Sequence, residues 1–140
     1  MAKLTLSGNG GAALKRWLGK LKGVKRLRRK LAVNLAEECV ELVREGFEAE
    51  ADPYGKAWAP TQRGGRILQD TGRMRSSVNR TVTESTVKVS VPVEYAGFHQ
   101  GGTSRMPARK VVPDEGDLPP RWEARLDEVA EDLLTEHFED

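Results

Sequence analysis

The chain carries one cysteine, Cys39, and two histidines, His99 and His137, among 140 residues, and these bound the side-chain chemistry open to it. A hydrolytic arrangement would take His99 as base, Ser104 or Ser76 as nucleophile, and Asp70 or Glu94 to orient the imidazole. No G-x-S-x-G elbow presents either serine, although such a turn is what exposes the nucleophile in α/β hydrolases. His99 instead follows Tyr95 by one helical turn, the spacing of a packing or hydrogen-bonding residue near Tyr95 and Gln100. Cys39 falls on the apolar face of a long helical pattern, where a thiol behaves as a small hydrophobe. A lone cysteine forms no intramolecular disulfide, and with two histidines it does not complete the usual structural zinc sets. Arg63-Gly64-Gly65-Arg66 combines glycine with positive charge but lacks the G-x-x-x-x-G-K-[ST] spacing that cradles phosphates. These residues point away from an enzyme, and they imply no cofactor and no metal.

Charge is the stronger signal. The net charge is +2, yet residues 1–30 hold ten bases and no acid, residues 31–60 two bases and seven acids, residues 61–113 nine bases and three acids, and residues 114–140 two bases and eleven acids. Blocks of opposite sign imply an electrostatic partner, which is nucleic acid, another protein or another copy of the chain, unless the two ends neutralise each other within one fold. The run Lys20 to Lys30 suits phosphate contacts, each of which releases counterions. No RRM, KH, zinc-finger or helix-turn-helix signature accompanies it, so a sequence-specific DNA reader is not expected.

These side chains need elements to hold them. Leu14, Trp17, Leu18 and Leu21 outline a short amphipathic helix ending near Gly23, which with its basic residues makes residues 1–24 an arm. Leu27, Leu31, Leu35, Cys39, Leu42 and Val43 recur at three to four residues and predict a long helix over 25–49. Its bases, Lys25, Arg28, Arg29 and Lys30, stand at the start and its acids, Glu45 and Glu48, at the end, opposite to what the helix dipole favours. Such a conflict implies that the charges answer to something outside the helix. Residues 51–72 read as an extended loop anchored by Trp58, with a type I turn at Asp52-Pro53-Tyr54-Gly55, and 51–66 is expected to become ordered only on assembly. Thr71 is the expected N-cap of a short turn through Ser77. Val78, Arg80 and Val82, then Val87, Val89 and Val91, alternate as a hairpin with a buried valine face, closed by Pro92. Glu94 to Gln100 is expected to make one helical turn with Tyr95 and Phe98 facing inward, and Arg109 to Val112 a further strand, so that 78–112 forms the sheet region. Trp122, Leu126, Val129, Leu133 and either His137 or Phe138 mark a C-terminal helix over 119–138, begun by Asp117 and two prolines.

The length suits a single domain, and 38% hydrophobic with 31% charged residues is polar but within the globular range. No run of about 20 apolar residues is present to span a membrane, and the start MAKLTLSGNGG has no apolar h-region. A soluble protein that stays in the cytoplasm where it is made is expected, with no membrane partner. The element order predicts an α+β fold with a small, mostly antiparallel sheet.

Four pieces then stand in order: Phe47 to Glu50 with Asp52-Pro53-Tyr54-Gly55-Lys56-Ala57-Trp58-Ala59-Pro60; Ile67 to Val78; Tyr95-Ala96-Gly97-Phe98-His99-Gln100-Gly101-Gly102; and Met106-Pro107-Ala108-Arg109. Together they resemble the phage virion morphogenesis family of Mu-type and P2-type tail completion proteins, related more distantly to HK97-type neck and tail proteins. The resemblance implies a structural virion protein at the head-tail junction, a tail terminator or neck component assembled in the bacterial host cytoplasm. It implies a homo-oligomeric ring, sixfold by resemblance, that meets other neck, connector or tail-tube proteins and contacts passing DNA without sequence specificity. The residues expected at subunit or partner interfaces are Leu14, Trp17, Leu18, Leu21, Lys25, Arg28, Arg29, Lys30, Trp58, Arg63, Arg66, Tyr95, His99, Arg105 and Arg109. Head-to-tail association would set the basic segment Lys15 to Lys30 against the acidic C-terminal helix of a neighbour. The alternative is a small nucleic-acid-binding or regulatory protein using the Lys20 to Lys30 helix.

Overall fold

The structure, a computed structural model, describes residues 2–7, 25–60, 72–83, 86–93, 96–114 and 116–139. The expected helix containing Leu14, Trp17, Leu18 and Leu21 lies outside these residues, as do Arg63, Arg66, Thr71 and Tyr95.

Helix α1 spans Lys25–Ala49 and buries Leu27, Leu31, Leu35, Cys39, Leu42, Val43 and Phe47, the face its periodicity outlines. Beyond it Glu50 takes a left-handed φ of 53°, and the Ala51 N–H returns to the Gly46 carbonyl at 3.2 Å. This is the cap that turns the chain out of a helix, here without the usual glycine.

The sheet has three antiparallel strands in the order β1-β3-β2: β1 (Ala2–Ser7), β2 (Asn79–Val82) and β3 (Thr86–Val91). Residues 2–7 thus depart from the expected basic arm. Leu4 pairs with Val89 and Ala2 with Val91, so their side chains join Val87, Val89 and Val91 on one buried face. On the other side of β3, Arg80 pairs with Val89 and Val82 with Val87, the expected hairpin. The main chain leaves the sheet at Pro92, which has no N–H to give a ladder. Val93 and Ala96 continue the core. Two short helices flank the hairpin region, α2 (Arg73–Ser76) and α3 (Ala96–Gly101). At the N-cap of α2 stands Gly72 in place of the expected Thr71, with φ 71° and no side-chain cap.

Two further expectations are corrected. Phe98 does not face inward; it is 60% exposed, because Ala96 takes the buried position of this short helix. Residues 109–112 form no strand among the described residues. Their main chain is satisfied by a side chain instead, as described below.

Helix α4 (Pro120–Glu139) buries Trp122, Leu126, Ala130 and Leu133 on one stripe, with Val129 and Leu134 partly buried beside it; the side chains of His137 and Phe138 lie outside the described residues. It runs antiparallel to α1. Tyr54, just past the end of α1, donates to the Asp117 carbonyl, just before α4, at 2.6 Å, and Arg125 reaches Glu38 and Glu45. The acidic half of α1 therefore meets the basic start of α4: Arg125 pairs with Glu38 and Glu45, and Arg121 acts on Glu45 as well. These cations offset the misplaced acids near the end of α1.

Candidate assembly surface

The loop after α1 is built by its own polar residues. Asp52 Oδ1 accepts from the Tyr54 and Lys56 N–H groups at 2.9 and 2.8 Å, and Gly55 N–H bonds the Asp52 carbonyl at 3.0 Å, closing the expected turn at an Asp-Pro-Tyr-Gly sequence suited to it. Ala51 and Ala57 form an isolated antiparallel bridge across it. Residues 51–60 are accordingly held by hydrogen bonds within the single chain; residues 61–66 lie outside the described ones.

Three further side chains tie this loop to distant segments. Trp58 is buried edge-on against Phe47, ring centroids 5.6 Å apart, and its indole N–H donates to the Lys110 carbonyl at 2.9 Å. Arg109, only 8% exposed, donates to the carbonyls of Ala59 and Pro60 at 2.9 and 3.1 Å. The Tyr54 hydroxyl, besides donating to Asp117, accepts the Asp114 N–H at 2.9 Å, and partial burial pushes its pKa up. Lys110 pairs with Asp114 at 2.5 Å, and that carboxylate raises its pKa.

Gln100 on α3 supplies a fourth tie, to residues 111–112. Its side-chain oxygen accepts from Val111 and Val112 N–H at 2.8 and 3.2 Å, and its amide donates to the Val112 carbonyl at 2.6 Å. The Arg109 N–H meets the His99 carbonyl at 2.6 Å. A Cβ on Gly102, where φ is 73°, would lie 2.8 Å from the Ala108 nitrogen, so this approach of the 103–108 loop requires glycine.

The structure thus draws Trp58, His99 and Arg109 into one loop platform. Trp58 and Arg109 are buried in it, His99 is half-buried, and Arg105 is exposed at its edge. Burial, with Arg109 nearby, lowers the His99 pKa. Lys25, Arg29 and Lys30 are exposed at the start of α1 and Arg28 is half-buried; they stand apart from the platform. Cys39 is fully buried, its thiol pushed up to about 12 by desolvation, as expected of a core residue. Tyr54, Gln100 and the Arg125 bridge were not anticipated. The sequence points to Tyr54 as a turn residue and to Gln100 as a neighbour of His99, but spacing does not reveal a partner 60 residues away.

Arg125 makes two-nitrogen contacts with Glu38 at 2.8 and 2.5 Å and with Glu45 at 3.0 and 2.8 Å. This donation holds the Glu45 carboxyl below its ordinary value. Elsewhere on α1, Arg75 pairs with Glu48 and Arg80 with Glu37. Arg44, Gly72, Arg75 and Ser76 line an open groove beside α2. Among the described residues, no helix is long and apolar enough to cross a membrane.

Of the sequence pieces quoted above, residues 47–60, 96–102 and 106–109 build the platform, and Met74 and Val78 enter the core. The sequence model of the phage virion morphogenesis family matches residues 10–125. No curated protein and no solved structure matches the chain. The family match takes in more than half of the chain and every platform residue, and the chain belongs to the phage virion morphogenesis family.

Proposed function

We propose that the chain is a tail completion or neck protein, working as a ring-forming homo-oligomer at the head-tail junction and performing no catalysis. One observation carries this: in the shared pieces Tyr54, Trp58, Gln100 and Arg109 all give their side-chain hydrogen bonds to main-chain groups. Trp58, Gln100, Arg109 and Tyr54 tie three loops together, where a catalytic set would converge on a cavity with its reactive groups toward a substrate. A rigid platform with an exposed aromatic at its edge suits a protein whose product is a contact. The ring would be sixfold by resemblance, assembled in the bacterial host cytoplasm, and would meet connector or tail-tube proteins while DNA passes non-specifically.

A second reading keeps one specific support, the exposure of Lys25, Arg26, Arg29 and Lys30 along the first turns of α1, which suits phosphate contact in a small nucleic-acid-binding protein. Withholding the chain from assembling particles separates the two. A junction component leaves finished heads and tails unjoined, and adding the purified chain joins them. Joined, infectious particles formed at normal yield without it contradict the proposal.

A further inference from the structure

Phe98 combines high exposure with rigid support. It is 60% exposed, yet its carbonyl accepts the Gly102 N–H at 2.8 Å, its neighbour His99 is bonded to Arg109, and the loop beyond closes through a Thr103 to Met106 bridge. Pro107 and Ala108 are exposed on the same returning loop. A single exposed aromatic is ordinary on a protein surface; a preorganised one loses little freedom on docking. The patch is also basic: every charged side chain between residues 96 and 113 is Arg105, Arg109 or Lys110. Arg109 is buried and Lys110 is paired with Asp114, so Arg105 is the charge this patch presents.

A surface of matching chemistry lies on α4. Ala124, Glu128, Glu131 and Thr135 recur at intervals of four, three and four, opposite the buried stripe, and all four are exposed. Arg125 is committed to Glu38 and Glu45, and among the described residues neither Glu128 nor Glu131 makes an ion pair. Two carboxylates three residues apart on one helix face repel each other, so the face gains when a cation covers it.

We propose that Phe98 and Arg105 of one copy dock on this outward face of α4 in a second copy. The ring rests over Ala124 and the methylene groups of Glu128, and Arg105 faces Glu128 and Glu131. Because the two patches differ, the contact is head to tail and propagates from copy to copy. The inference rests on the ring-forming proposal and names its surface.

Sedimentation of the full chain across a concentration series tests it, with circular dichroism confirming the fold of each variant. The wild type is expected to run above its 15.5 kDa monomer mass. Phe98→Ser, Arg105→Glu and the pair Glu128→Arg with Glu131→Arg should each weaken association by about tenfold or more, the effect of an anchor residue. Combining Arg105→Glu with the two α4 reversals should restore association. A wild type that remains monomeric, unchanged association in the Phe98 or Arg105 variants, or absence of rescue overturns the docking. Variants that lose only retention on duplex DNA would assign the patch to DNA and also overturn it. Each of these outcomes leaves the unjoined-particle experiment to decide the junction role by itself.

Discussion

Gln100 grips Val112 on both sides of its Cα, donating to the Val112 carbonyl at 2.6 Å and accepting from its N–H at 3.2 Å. The side chain takes the part a neighbouring strand would play, so that the buried, apolar Val111-Val112 pair has partners for its main chain without a ladder. Gln100→Ala should strand part-buried main-chain groups and cost about 1–3 kcal/mol. Denaturant unfolding measures the loss, and amide exchange should quicken at Val111 and Val112 first. A variant as stable as the wild type would refute the clamp.

Arg125 joins the two long helices. Arg125→Met keeps much of the aliphatic stem and removes the charge from between Glu38 and Glu45, and is expected to destabilise by about 1–3 kcal/mol. The Glu45 carboxyl is held low in the folded state by this donation, so its contribution is present above its ordinary value of 4.5 and is lost as pH falls through the lowered folded value. Acid unfolding of the Met variant should therefore depend less steeply on pH below about 4.5. Parallel acid-unfolding curves for the two proteins would contradict the assignment.

His99 gives a second pH window with its own sign. Burial favours the neutral imidazole, so the unfolded chain, with a pKa near 6.5, binds the proton more readily than the folded one. Stability is full above 6.5 and declines as pH drops from there toward the lowered folded value. His99→Gln should stay folded and flatten this decline. Equal slopes in wild type and variant between about pH 7 and 5 would remove His99 as its source.

Gly102→Ala is expected to destabilise by about 1–3 kcal/mol, since the new Cβ meets main chain at 2.8 Å and the backbone is left-handed. Thermal unfolding reads this directly, and an unchanged midpoint would show that the 103–108 loop does not depend on the close approach.

What the sequence discloses follows the range of the interactions. α1 and α4 are legible because Leu27 to Phe47 and Trp122 to Leu133 repeat at the helical period, and β2 and β3 because their valines alternate across a short turn. The alternation of Leu4 and Leu6 with Lys3, Thr5 and Ser7 was available for β1, but its partner β3 lies some 80 residues on, and a short strand is hard to distinguish without one. Helical spacing relates Phe98 to Tyr95 and points it inward, while in this six-residue helix the buried residue is Ala96. The charge blocks were visible at once; that Arg125 would bind Glu38 and Glu45 depends on antiparallel helix packing, which composition does not encode.

The most direct measurement is a reconstruction by electron cryomicroscopy of the purified virus particle, with the chain identified by a label fused at its terminus. The proposal requires a closed ring of this chain where the tail meets the head, its subunits in head-to-tail contact. Density for the chain elsewhere in the particle, single copies without ring symmetry, or particles that lack the chain would contradict it.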